Sequence, residues 1–559
     1  MTSIPHLNSD ILNCDVVIIG CGPVGAVAAN LLGLYGIQTV VFERELDVYH
    51  LPRAIHFDHD IMRIFQQLGL YQKMSAVVTS TPELQFLDRH RRLLFSVREP
   101  ASTTHLGFAQ HYVFYQPWME SVLREGIARF DSVSVYLGHA VQSIVQESER
   151  VLVRGQDIDH QHEPVQVRAR YVLGCDGAAS LTRKSSGITL QDFKFDKQWL
   201  VVDTFLKDTC APSVKRTLPK ACQLLCDERR PTVSVPSVKN HHRWEFMLAD
   251  HEQPAVFEQP AKVCELLSDW VDPDQLDIRR AVVYQFHSLF AQQWCKGNLF
   301  LLGDAAHQMP PFSGQGLCSG IRDAHNLCWK IHRVLKGYSS EDLLDTYAQE
   351  RMPHVQEILQ GTMRFGAIAQ TQNPMIALAR NTIFSLLHRI PAISRRLKNL
   401  HIPLPGLKTG ILASTVDPSQ SAAGQPFPQV EVSTQTGETI LLDELMGHHF
   451  VILSFNLRLT ARLSTSTQAA WKAQSTRFIH ALSGPDSPSL NLTKTGSECL
   501  VPVEQWVVID RHHQLSRWFA QQRGNIVIIR PDRYIFGVYN VHEIDSATAQ
   551  VNTLLSVSS

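Results

Sequence analysis

The chain has 559 residues, of which 44% are hydrophobic and 19% are charged, and its formal net charge at pH 7 is −1. A chain of this length predicts roughly three or four domain-sized units. The nearly balanced charge gives no indication of nucleic acid or of a membrane surface as a partner. The apolar run over residues 16–42 contains Asn30 and several glycines, so we interpret it as strand, turn, helix and strand rather than as a membrane span.

The cysteines indicate free thiols rather than disulfide bonds or a metal site. Their number, 11, is odd, and the pair closest in sequence, Cys222 and Cys226, does not form a Cys-x-x-Cys motif. Such scattered cysteines are typical of cytoplasmic proteins. No ligand spacing predicts zinc. We therefore expect a cytoplasmic protein without a metal.

The first predicted element is a buried strand that ends in a glycine-rich turn. The turn is a Gly-x-Gly-x-x-Gly motif formed by Gly20, Gly22 and Gly25, and an alanine-rich helix follows. The next strand, over residues 37–42, ends at Glu43. Such glycines permit a tight turn, the approach of a pyrophosphate and close helix packing, while the acidic side chain accepts hydrogen bonds from a ribose. The sequence predicts a dinucleotide site open to FAD or NAD; the alternative is a glycine-rich turn without a ligand.

The next segments supply further candidate positions. Arg53 lies on the loop after the second strand, and residues 116–130 have helical spacing. A strand over residues 168–174 ends in a Cys-Asp-Gly turn that contains Asp176. Residues from about 190 to 290 contain strand-like runs, which we interpret as an inserted antiparallel sheet that closes over the ligand.

The most informative segment is a second glycine-rich loop at residues 303–316. It follows an apolar strand at residues 298–302 and opens a long amphipathic helix from Leu317 to about Leu335. Glycine and proline allow unusual backbone turns, and the unpaired N–H groups at a helix start suit negative charge or carbonyl oxygens. An ordinary α/β turn is the alternative, and the upstream dinucleotide motif argues against it.

Taken together, the three turns resemble those of the single-component FAD-dependent aromatic hydroxylases, a group of flavoprotein monooxygenases. Within that group the chain most resembles the 3-(3-hydroxyphenyl)propionate hydroxylase family. The likeness covers nearly the whole chain. Further matching segments are residues 52–55, 198–203, 243–247, 322–327, 518–521 and 530–534.

The resemblance implies an α/β architecture: a Rossmann-like FAD-binding fold, an inserted antiparallel β-sheet substrate domain and a C-terminal thioredoxin-like domain. The expected divisions are FAD-binding residues 1–190, the inserted substrate-binding sheet 191–290, the returning FAD-binding part with helices 291–400, a linker 401–428 and the thioredoxin-like domain 429–559. The last domain has a single cysteine, Cys499, whereas thioredoxin activity needs a Cys-x-x-Cys pair. A structural role or a homodimer contact is expected instead.

The resemblance also implies how FAD is bound. The first glycine motif would hold the pyrophosphate and Glu43 the adenosine ribose, while Arg53 and Gln116 would contact the middle of the cofactor. Asp304 would bind the ribityl chain, and the loop from Pro311 would line the flavin ring, whose anionic reduced form a helix start stabilises. The expected cofactor-binding residues are Gly20, Gly22, Pro23, Gly25, Glu43, Arg44, Arg53, Gln116, Asp176, Gly303, Asp304, Pro311, Gly314, Gln315 and Gly316.

The implied reaction is the hydroxylation of a small phenolic substrate such as 3-(3-hydroxyphenyl)propionate, as in the catabolism of aromatic compounds. NADH or NADPH would reduce FAD, and O2 would then form a flavin C4a-hydroperoxide that transfers one oxygen atom to the ring. A phenolate reacts faster than a phenol, so a base is expected near the ring. The candidate catalytic residues are His56, Asp58 and Tyr115, with Tyr112 as a further candidate. Some relatives have glycine at the position of His56, so its imidazole either relays a proton or narrows the pocket.

Three further residues have open roles. Arg243 is a candidate partner for a substrate carboxylate. Arg183 either contacts a phosphate or forms a salt bridge, and His307 is expected to be a packed or capping histidine.

Other functions remain open to the same sequence. One is an FAD monooxygenase that acts on another aromatic or polyketide-like compound. A second is a flavin reductase or non-oxygenating dehydrogenase, and a third is a flavin-binding protein without activity. A halogenase would carry a Trp-x-Trp-x-x-Ile segment, which the sequence lacks.

Overall fold

The computed structural model describes residues 11–50, 52–81, 83–98, 104–159, 163–210, 218–390, 404–413, 422–484 and 505–555. The chain divides into two compact units. Unit 1 comprises Met1–Thr103, Ala109–Arg322 and Gln356–Leu404; unit 2 comprises Thr104–Phe108, Asp323–Val355 and Pro405–Ser559. Within the described ranges, none of the helices combines the length and the apolar character needed to cross a membrane.

Both units contain strands and helices. The strands are β1 (Leu12–Ile19), β2 (Thr39–Glu43), β3 (His56–Asp58), β4 (Val78–Ser80), β5 (Glu83–Leu87), β6 (Leu93–Arg98), β7 (His111–Phe114), β8 (Val133–Leu137), β9 (His139–Gln146), β10 (Val151–Asp157), β11 (Val165–Gly174), β12 (Leu190–Leu206), β13 (Cys222–Leu225), β14 (Thr232–Pro236), β15 (His241–Met247), β16 (Leu276–Ala291), β17 (Cys295–Lys296), β18 (Leu299–Leu301), β19 (His307–Gln308), β20 (Glu431–Thr434), β21 (Thr439–Leu441), β22 (Val451–Phe455), β23 (Arg477–Ser483), β24 (Gln505–Asp510), β25 (Ile526–Ile529) and β26 (Ile535–Tyr539). The α-helices are α1 (Pro23–Leu34), α2 (His59–Gln67), α3 (Tyr71–Ser75), α4 (Gln116–Ile127), α5 (Leu181–Ser185), α6 (Pro254–Phe257), α7 (Pro260–Ser268), α8 (Gln315–Leu335), α9 (Asp342–Ala369), α10 (Pro374–Arg389), α11 (Leu442–Met446), α12 (Thr465–Ala473), α13 (Gln514–Phe519) and α14 (Ile544–Leu554).

The first sheet of unit 1 is built around β1. Its order is β17–β18–β11–β1–β2–β8, and β10 and β9 continue it antiparallel from β11. β1 pairs in parallel with β2 and β11, and β11 pairs in parallel with β18. Because parallel strands have their carboxyl ends at one edge of a sheet, the turns after β1, β11 and β18 come together there. The predicted mixed α/β fold is confirmed.

The second sheet of unit 1 has the order β19–β16–β12–β15–β14–β13–β5–β6. Neighbouring strands are antiparallel except for the parallel pair β13–β5. The sheet extends beyond the expected insert at 191–290, because β5 and β6 precede that range and β19 follows it. A small third sheet, β3–β7–β4, completes the strands of this unit within the described ranges.

Unit 2 contains a seven-stranded sheet with the order β21–β20–β24–β23–β22–β25–β26. Its core is apolar and includes the fully buried Phe427, Leu453 and Val527. Phe427 belongs to the stretch expected to be a linker, and its side chain is part of this core. The remainder of the expected linker and Cys499 lie outside the described residues.

A buried ionic network also lies within unit 2. The Glu350 carboxylate of α9 accepts hydrogen bonds from Arg530 Nη1 and Nη2 at 2.9 and 2.7 Å and from Lys330 Nζ at 2.9 Å. Arg530 also pairs with Asp532 at 2.6 Å. Burial lowers the pKa of Lys330 to about 8. These contacts join α8 and α9 to the strand hairpin β25–β26.

Candidate active site

The turn after β1 leaves space for a ligand at one of its three glycines. Gly20 has a φ of 96°, and a Cβ there would lie 2.5 Å from the carbonyl oxygen of Cys175. A Cβ on Gly25 would lie 1.9 Å from the carbonyl oxygen of Gly20, whereas one on Gly22 would meet no protein atom within 4 Å. Gly22 caps α1, which begins at Pro23. The open space therefore lies at a helix start, where N–H groups and the helix dipole suit a pyrophosphate.

The Glu43 carboxylate is fixed beside this turn. Its Oε2 accepts a hydrogen bond from Cys21 N at 2.6 Å, and its Oε1 accepts one from Glu45 N at 2.9 Å. A carboxylate oxygen accepts more than one hydrogen bond, so Glu43 remains able to receive a ribose hydroxyl. Arg44 is different: its side chain is 66% exposed and pairs with Glu45 at 3.1 Å. The cofactor-binding role predicted for Arg44 stays a prediction.

The turn after β11 is organised by Asp176. Its carboxylate accepts hydrogen bonds from Ser180 Oγ at 2.6 Å and from Thr182 N and Oγ1 at 2.9 and 3.0 Å. Nη2 of Arg183 donates to the carbonyl oxygen of Ala178 at 2.9 Å, and Nη1 donates to that of Ala305 at 3.0 Å. Because Ala305 lies after β18, Arg183 ties the second turn to the third.

The turn after β18 packs directly against the turn after β1. A Cβ on Gly303 would lie 3.0 Å from Val24 Cγ2, and one on Gly320 of α8 would lie 2.6 Å from the same atom. Asp304 in this turn is accessible to solvent, yet desolvation by the surrounding protein raises its pKa. An accessible carboxyl surrounded in this way lines a cleft. All three predicted motifs therefore meet at one edge of the first sheet.

The glycine-rich loop places α8 against His56. Residues Pro311–Ser313 form a 3-10 turn, Gly314 has a φ of 62° and α8 begins at Gln315. A Cβ on Gly314 would lie 2.4 Å from Nδ1 of His56, whereas one on Gly316 would have its nearest contact at 4.0 Å. Glycine at position 314 thus permits the left-handed backbone conformation and leaves room for the imidazole of His56.

Asp58 is held as a carboxylate by the first turns of α8. Nη2 of Arg322 donates to its two oxygens at 2.7 and 2.6 Å, and Nε2 of Gln315 donates to Oδ2 at 3.1 Å. Although burial acts in the opposite direction, the charge of Arg322 holds the pKa of Asp58 far below its ordinary value. Asp58 also caps α2. These contacts give Asp58 and Gln315 positioning roles.

His56 is hydrogen-bonded to a second histidine that the sequence did not single out. Nε2 of His56 lies 2.9 Å from Nδ1 of His111, and the two residues belong to the adjacent strands β3 and β7. Burial lowers the pKa of His56. The pair therefore forms a chain of titratable nitrogens that begins beside Gly314.

Tyr115 and Tyr112 are packed into aromatic clusters. The ring centroid of Tyr115 lies 5.2 Å from that of Phe205 and 4.9 Å from that of His241, and burial raises its pKa. Tyr112 stacks on Phe57 at 5.3 Å, and its hydroxyl accepts a hydrogen bond from a backbone N–H at 3.1 Å. Both tyrosines have clear structural contacts.

The loop that carries Arg53 is clamped from two sides. Oε1 of Gln116 accepts hydrogen bonds from the backbone N–H of Arg53 and of the next residue, at 2.6 and 2.7 Å. From the second sheet, Nη1 and Nη2 of Arg243 donate to the carbonyl oxygens of Arg53 and Pro52 at 2.9 and 3.0 Å. Arg280 donates to Pro52 as well. The amide oxygen of Gln116 is thus hydrogen-bonded to the backbone at Arg53. The guanidinium of Arg243 is hydrogen-bonded to this loop and to Asp203.

His307 is packed, in agreement with its expected role. The side chain is fully buried, and its ring stacks on that of Trp294 with a centroid distance of 5.0 Å.

No individual role was predicted from the sequence for several residues of this region. They are His111, Asp203, Glu245, Arg280 and Arg322. Asp203, Glu245 and Arg280 stand in strands that are otherwise rich in apolar residues, and a charged residue inside such a strand is the signal that would have identified them. His111 and Arg322 offer no local signal, because their partners lie 55 and 264 positions away.

Comparison with known proteins supports a flavoenzyme site. A family model described as an FAD binding domain matches residues 13–362, and one described as the HcaD C-terminal domain matches residues 424–554. A 3-(3-hydroxy-phenyl)propionate/3-hydroxycinnamic acid hydroxylase of Mycobacterium sp. (strain JLS) is 33% identical over 536 residues, which are 95% of this chain and 90% of that protein. The chain belongs to the family of FAD-dependent aromatic hydroxylases.

Other members of this hydroxylase family agree in length and fold. The hydroxylase 2 of the same name from Burkholderia vietnamiensis is 31% identical, with 96% of this chain and 95% of that protein covered. Among solved structures, the flavin-dependent monooxygenase PieE superposes with a TM-score of 0.76 at 18% identity, covering 97% of this chain and 99% of that one. Aklavinone-11 hydroxylase superposes with a TM-score of 0.75 at 19% identity, covering 98% and 99%. At these identities the solved structures establish the fold alone.

Proposed function

We propose that this hydroxylase uses FAD, NADH or NADPH, and O2 to hydroxylate a small phenol with a carboxylate side chain, such as 3-(3-hydroxyphenyl)propionate. The meeting of three cofactor-type turns at one sheet edge carries the proposal. The substrate class comes from the name of the relatives, which match the chain over most of its length. We assign Rossmann-like FAD binding to the first sheet of unit 1, substrate binding to its second sheet, and a thioredoxin-like fold to the sheet of unit 2.

The residues at the sheet edge fit FAD. The space over Gly22 suits the pyrophosphate, and Glu43 suits the adenosine ribose. Asp304, an accessible carboxyl in a cleft, suits the hydroxyls of the ribityl chain. The loop from Pro311 to Gly316 suits the flavin ring, because a helix start offers N–H groups to ring carbonyls.

When bound, FAD would supply the redox chemistry, taking electrons from the reduced nicotinamide and passing one atom of O2 to the ring. The protein's own part is binding, orientation and the exclusion of water. Proton movement falls to His56 and His111, because their shared hydrogen bond leads away from Gly314. Burial lowers the pKa of His56, which favours the neutral imidazole, and a neutral imidazole has one ring nitrogen that accepts a hydrogen bond. Asp58 and Tyr115 position their neighbours in this scheme.

A substrate screen tests the proposal. Purified, FAD-loaded protein is mixed with phenolic acids, and the oxidation of reduced nicotinamide and the formation of hydroxylated product are followed together. We expect one phenol to stimulate both. Stimulation without product would indicate a wrong substrate, and the absence of stimulation by any phenol would contradict the hydroxylase proposal.

A further inference from the structure

The two faces of the second sheet of unit 1 have different surroundings. Alternate residues of β12 and β15 lie in an apolar cluster with residues of α6 and α7, namely Leu200, Val202, Trp244, Phe246, Phe257, Val263 and Leu267. Because successive side chains of a strand point to opposite faces, the residues between them belong to the other face. On that face Arg243 pairs opposite Asp203, and Glu245 pairs opposite Val201.

Two loops contact this second face: the loop that carries Arg53, which the resemblance places against FAD, and the loop from Pro311 to Gly316. At one end, Arg243 donates to the two carbonyl oxygens of residues 52–53. At the other end, the ring centroid of Trp199 lies 6.4 Å from that of Phe312. Trp199 of β12 pairs with Met247 of β15. Glu245 stands two positions after Arg243. Along β15, Glu245 therefore lies between Arg243, which contacts the first loop, and Met247, which is paired with Trp199 beside the second loop.

Within the described residues, the Glu245 carboxylate shares its nearest counter-ion, Arg243, with Asp203. Glu245 is 8% exposed, and its closest cationic atom in the described part of the chain is Nη1 of Arg243, at 3.8 Å. That guanidinium is already held by the Asp203 carboxylate, through Nε at 2.8 Å and Nη2 at 3.0 Å. Burial raises the pKa of Glu245. A buried carboxyl in this state is costly unless a ligand supplies a hydrogen-bond donor.

We propose that Glu245 accepts a hydrogen bond from the phenolic hydroxyl of the substrate. Its neighbours on this face, Val201, Val233 and Met247, offer apolar surface to an aromatic ring. The carboxylate is then the group that distinguishes a phenol from an unsubstituted ring, because a site built around a hydroxyl rejects the analogue that lacks it. This inference rests on the proposed function, which supplies the substrate class.

Binding measurements with two ligands test the role of Glu245. The FAD-loaded wild type, Glu245→Gln and Glu245→Leu are titrated with the phenol that stimulates the wild type and with the same acid lacking the hydroxyl. We expect the wild type to prefer the phenol by about tenfold or more, as for a hydrogen bond to a charged group. Glu245→Gln should keep part of this preference, and Glu245→Leu should bind the deoxy acid at least as tightly as the phenol.

A matched substitution separates this role from a general effect. Glu265→Gln changes a glutamate of α7 whose side chain is 65% exposed, and it should leave both affinities unchanged. A Glu245→Leu variant that keeps the wild-type preference, or loses both ligands equally, would overturn the assignment. A wild type that itself fails to prefer any phenol would overturn the proposed function, and the two failures are distinguishable.

A second, independent feature is an apolar surface on α10. Met375 is 81% exposed, Leu378 70% and Leu386 55%. Four more aliphatic side chains at or near this helix are each about half exposed: Ile368, Ile376, Ile383 and Ile390. We refer to these seven residues as the α10 patch. The largest apolar patch on the surface of a typical monomer is often functional.

The helix cannot turn its apolar side inward, because its other side is anchored. Arg380 is buried and donates to the carbonyl oxygens of Cys226, Ala369 and Ile368 at 2.6, 2.8 and 3.1 Å. Phe384 packs against the ring of Phe95 with a centroid distance of 4.8 Å. The α10 patch is therefore a fixed surface.

We infer that the α10 patch binds a second copy of this chain. A contiguous set of seven exposed apolar side chains is the kind of surface whose burial drives protein association. A helix that lies on a membrane carries Lys and Arg along its polar face, whereas Arg380 is the sole charged residue of α10 before Arg389 and is buried. The net charge of −1 adds little repulsion between two copies.

The oligomeric state of the full-length, FAD-loaded protein tests this surface. Light scattering after gel filtration should give a dimer for the wild type and a monomer for Leu378→Glu/Leu386→Glu, with hydroxylation retained. Val145→Glu, at an exposed position of β9 (52%), should remain dimeric. A wild type that is monomeric at micromolar concentration, or a double variant that stays dimeric, would overturn the inference. If the double variant lost only co-sedimentation with phosphatidylserine-containing vesicles and kept the oligomeric state of the wild type, the inference would also be overturned, in favour of membrane binding.

Discussion

Nη2 of Arg322 donates to both carboxylate oxygens of Asp58, at 2.7 and 2.6 Å, and both side chains are 3% exposed. Nε of the same guanidinium pairs with Asp60 at 2.7 Å. Since Asp58 caps α2 and Arg322 lies two turns into α8, the pair fixes the helix start that we assign to the flavin ring.

Removing Arg322 should therefore affect stability and cofactor retention together. Arg322→Met leaves the Asp58 charge buried and unpaired, which costs about 3–5 kcal/mol. We expect the free energy of unfolding in urea to fall by about that amount and FAD to be lost during gel filtration. Arg98→Met is the control, because its pair with Glu83 is exposed on the arginine side and is worth no more than about 1 kcal/mol. Equal effects of the two substitutions would contradict the account.

Two glycines of the first turn should respond differently to alanine. A Cβ on Gly22 meets no protein atom within 4 Å, and its φ of −68° suits any residue. Gly22→Ala should leave the unfolding free energy of FAD-stripped protein unchanged but weaken FAD binding about tenfold or more, because the methyl group fills the pyrophosphate space. Gly25→Ala should destabilise the stripped protein by more than about 2 kcal/mol, since its Cβ would lie 1.9 Å from the carbonyl oxygen of Gly20. Unfolding curves and FAD titrations measure the two effects. Normal FAD affinity in Gly22→Ala would contradict the placement of the pyrophosphate over Gly22.

Stability should fall on acidification, and His242 should account for part of the loss. Burial lowers the pKa of His242 to about 3, whereas the same side chain in the unfolded chain has a pKa near 6.5. Below pH 6.5 the unfolded state therefore binds a proton that the folded state refuses. The stability contributed by the neutral imidazole is lost as the pH falls, by roughly 2 kcal/mol between pH 6.5 and 5.

His242→Gln should remove that contribution. Urea unfolding at pH 7 and pH 5 should show a loss on acidification that is smaller by roughly 2 kcal/mol in the variant. Substitution of the exposed His90 by glutamine provides the comparison, and it should leave the wild-type pH dependence in place. An unchanged pH dependence in His242→Gln would show that the imidazole is not kept neutral by burial.

The features that the sequence predicted are those with a local signal. The strand, glycine turn and helix around Gly22, and the long helix that ends at Leu335, follow from spacing and composition within a few residues. α8 begins at Gln315, two residues before the predicted start, because the helix incorporates the last residues of the glycine loop.

The features that were missed depend on long-range contacts. Asp58 is predicted as a candidate catalytic residue, and nothing near it in the sequence reveals its partner Arg322, 264 positions away. Gln116 is predicted to contact the cofactor, and the sequence does not reveal that its amide oxygen accepts a hydrogen bond from the backbone of Arg53, 63 positions away. Such partners depend on strand order and helix docking, which periodicity does not encode.

Labelling with ¹⁸O2 tests the proposed hydroxylation most directly, because it shows whether the oxygen atom of the product comes from O2. The FAD-loaded protein is supplied with reduced nicotinamide, the phenol that stimulates its oxidation, and ¹⁸O2, and the product is examined by mass spectrometry. The account predicts a hydroxylated product that carries one ¹⁸O atom per molecule, in an amount that matches the nicotinamide oxidised under coupled conditions. Product without the label, or nicotinamide oxidation that proceeds equally well without O2, would contradict it.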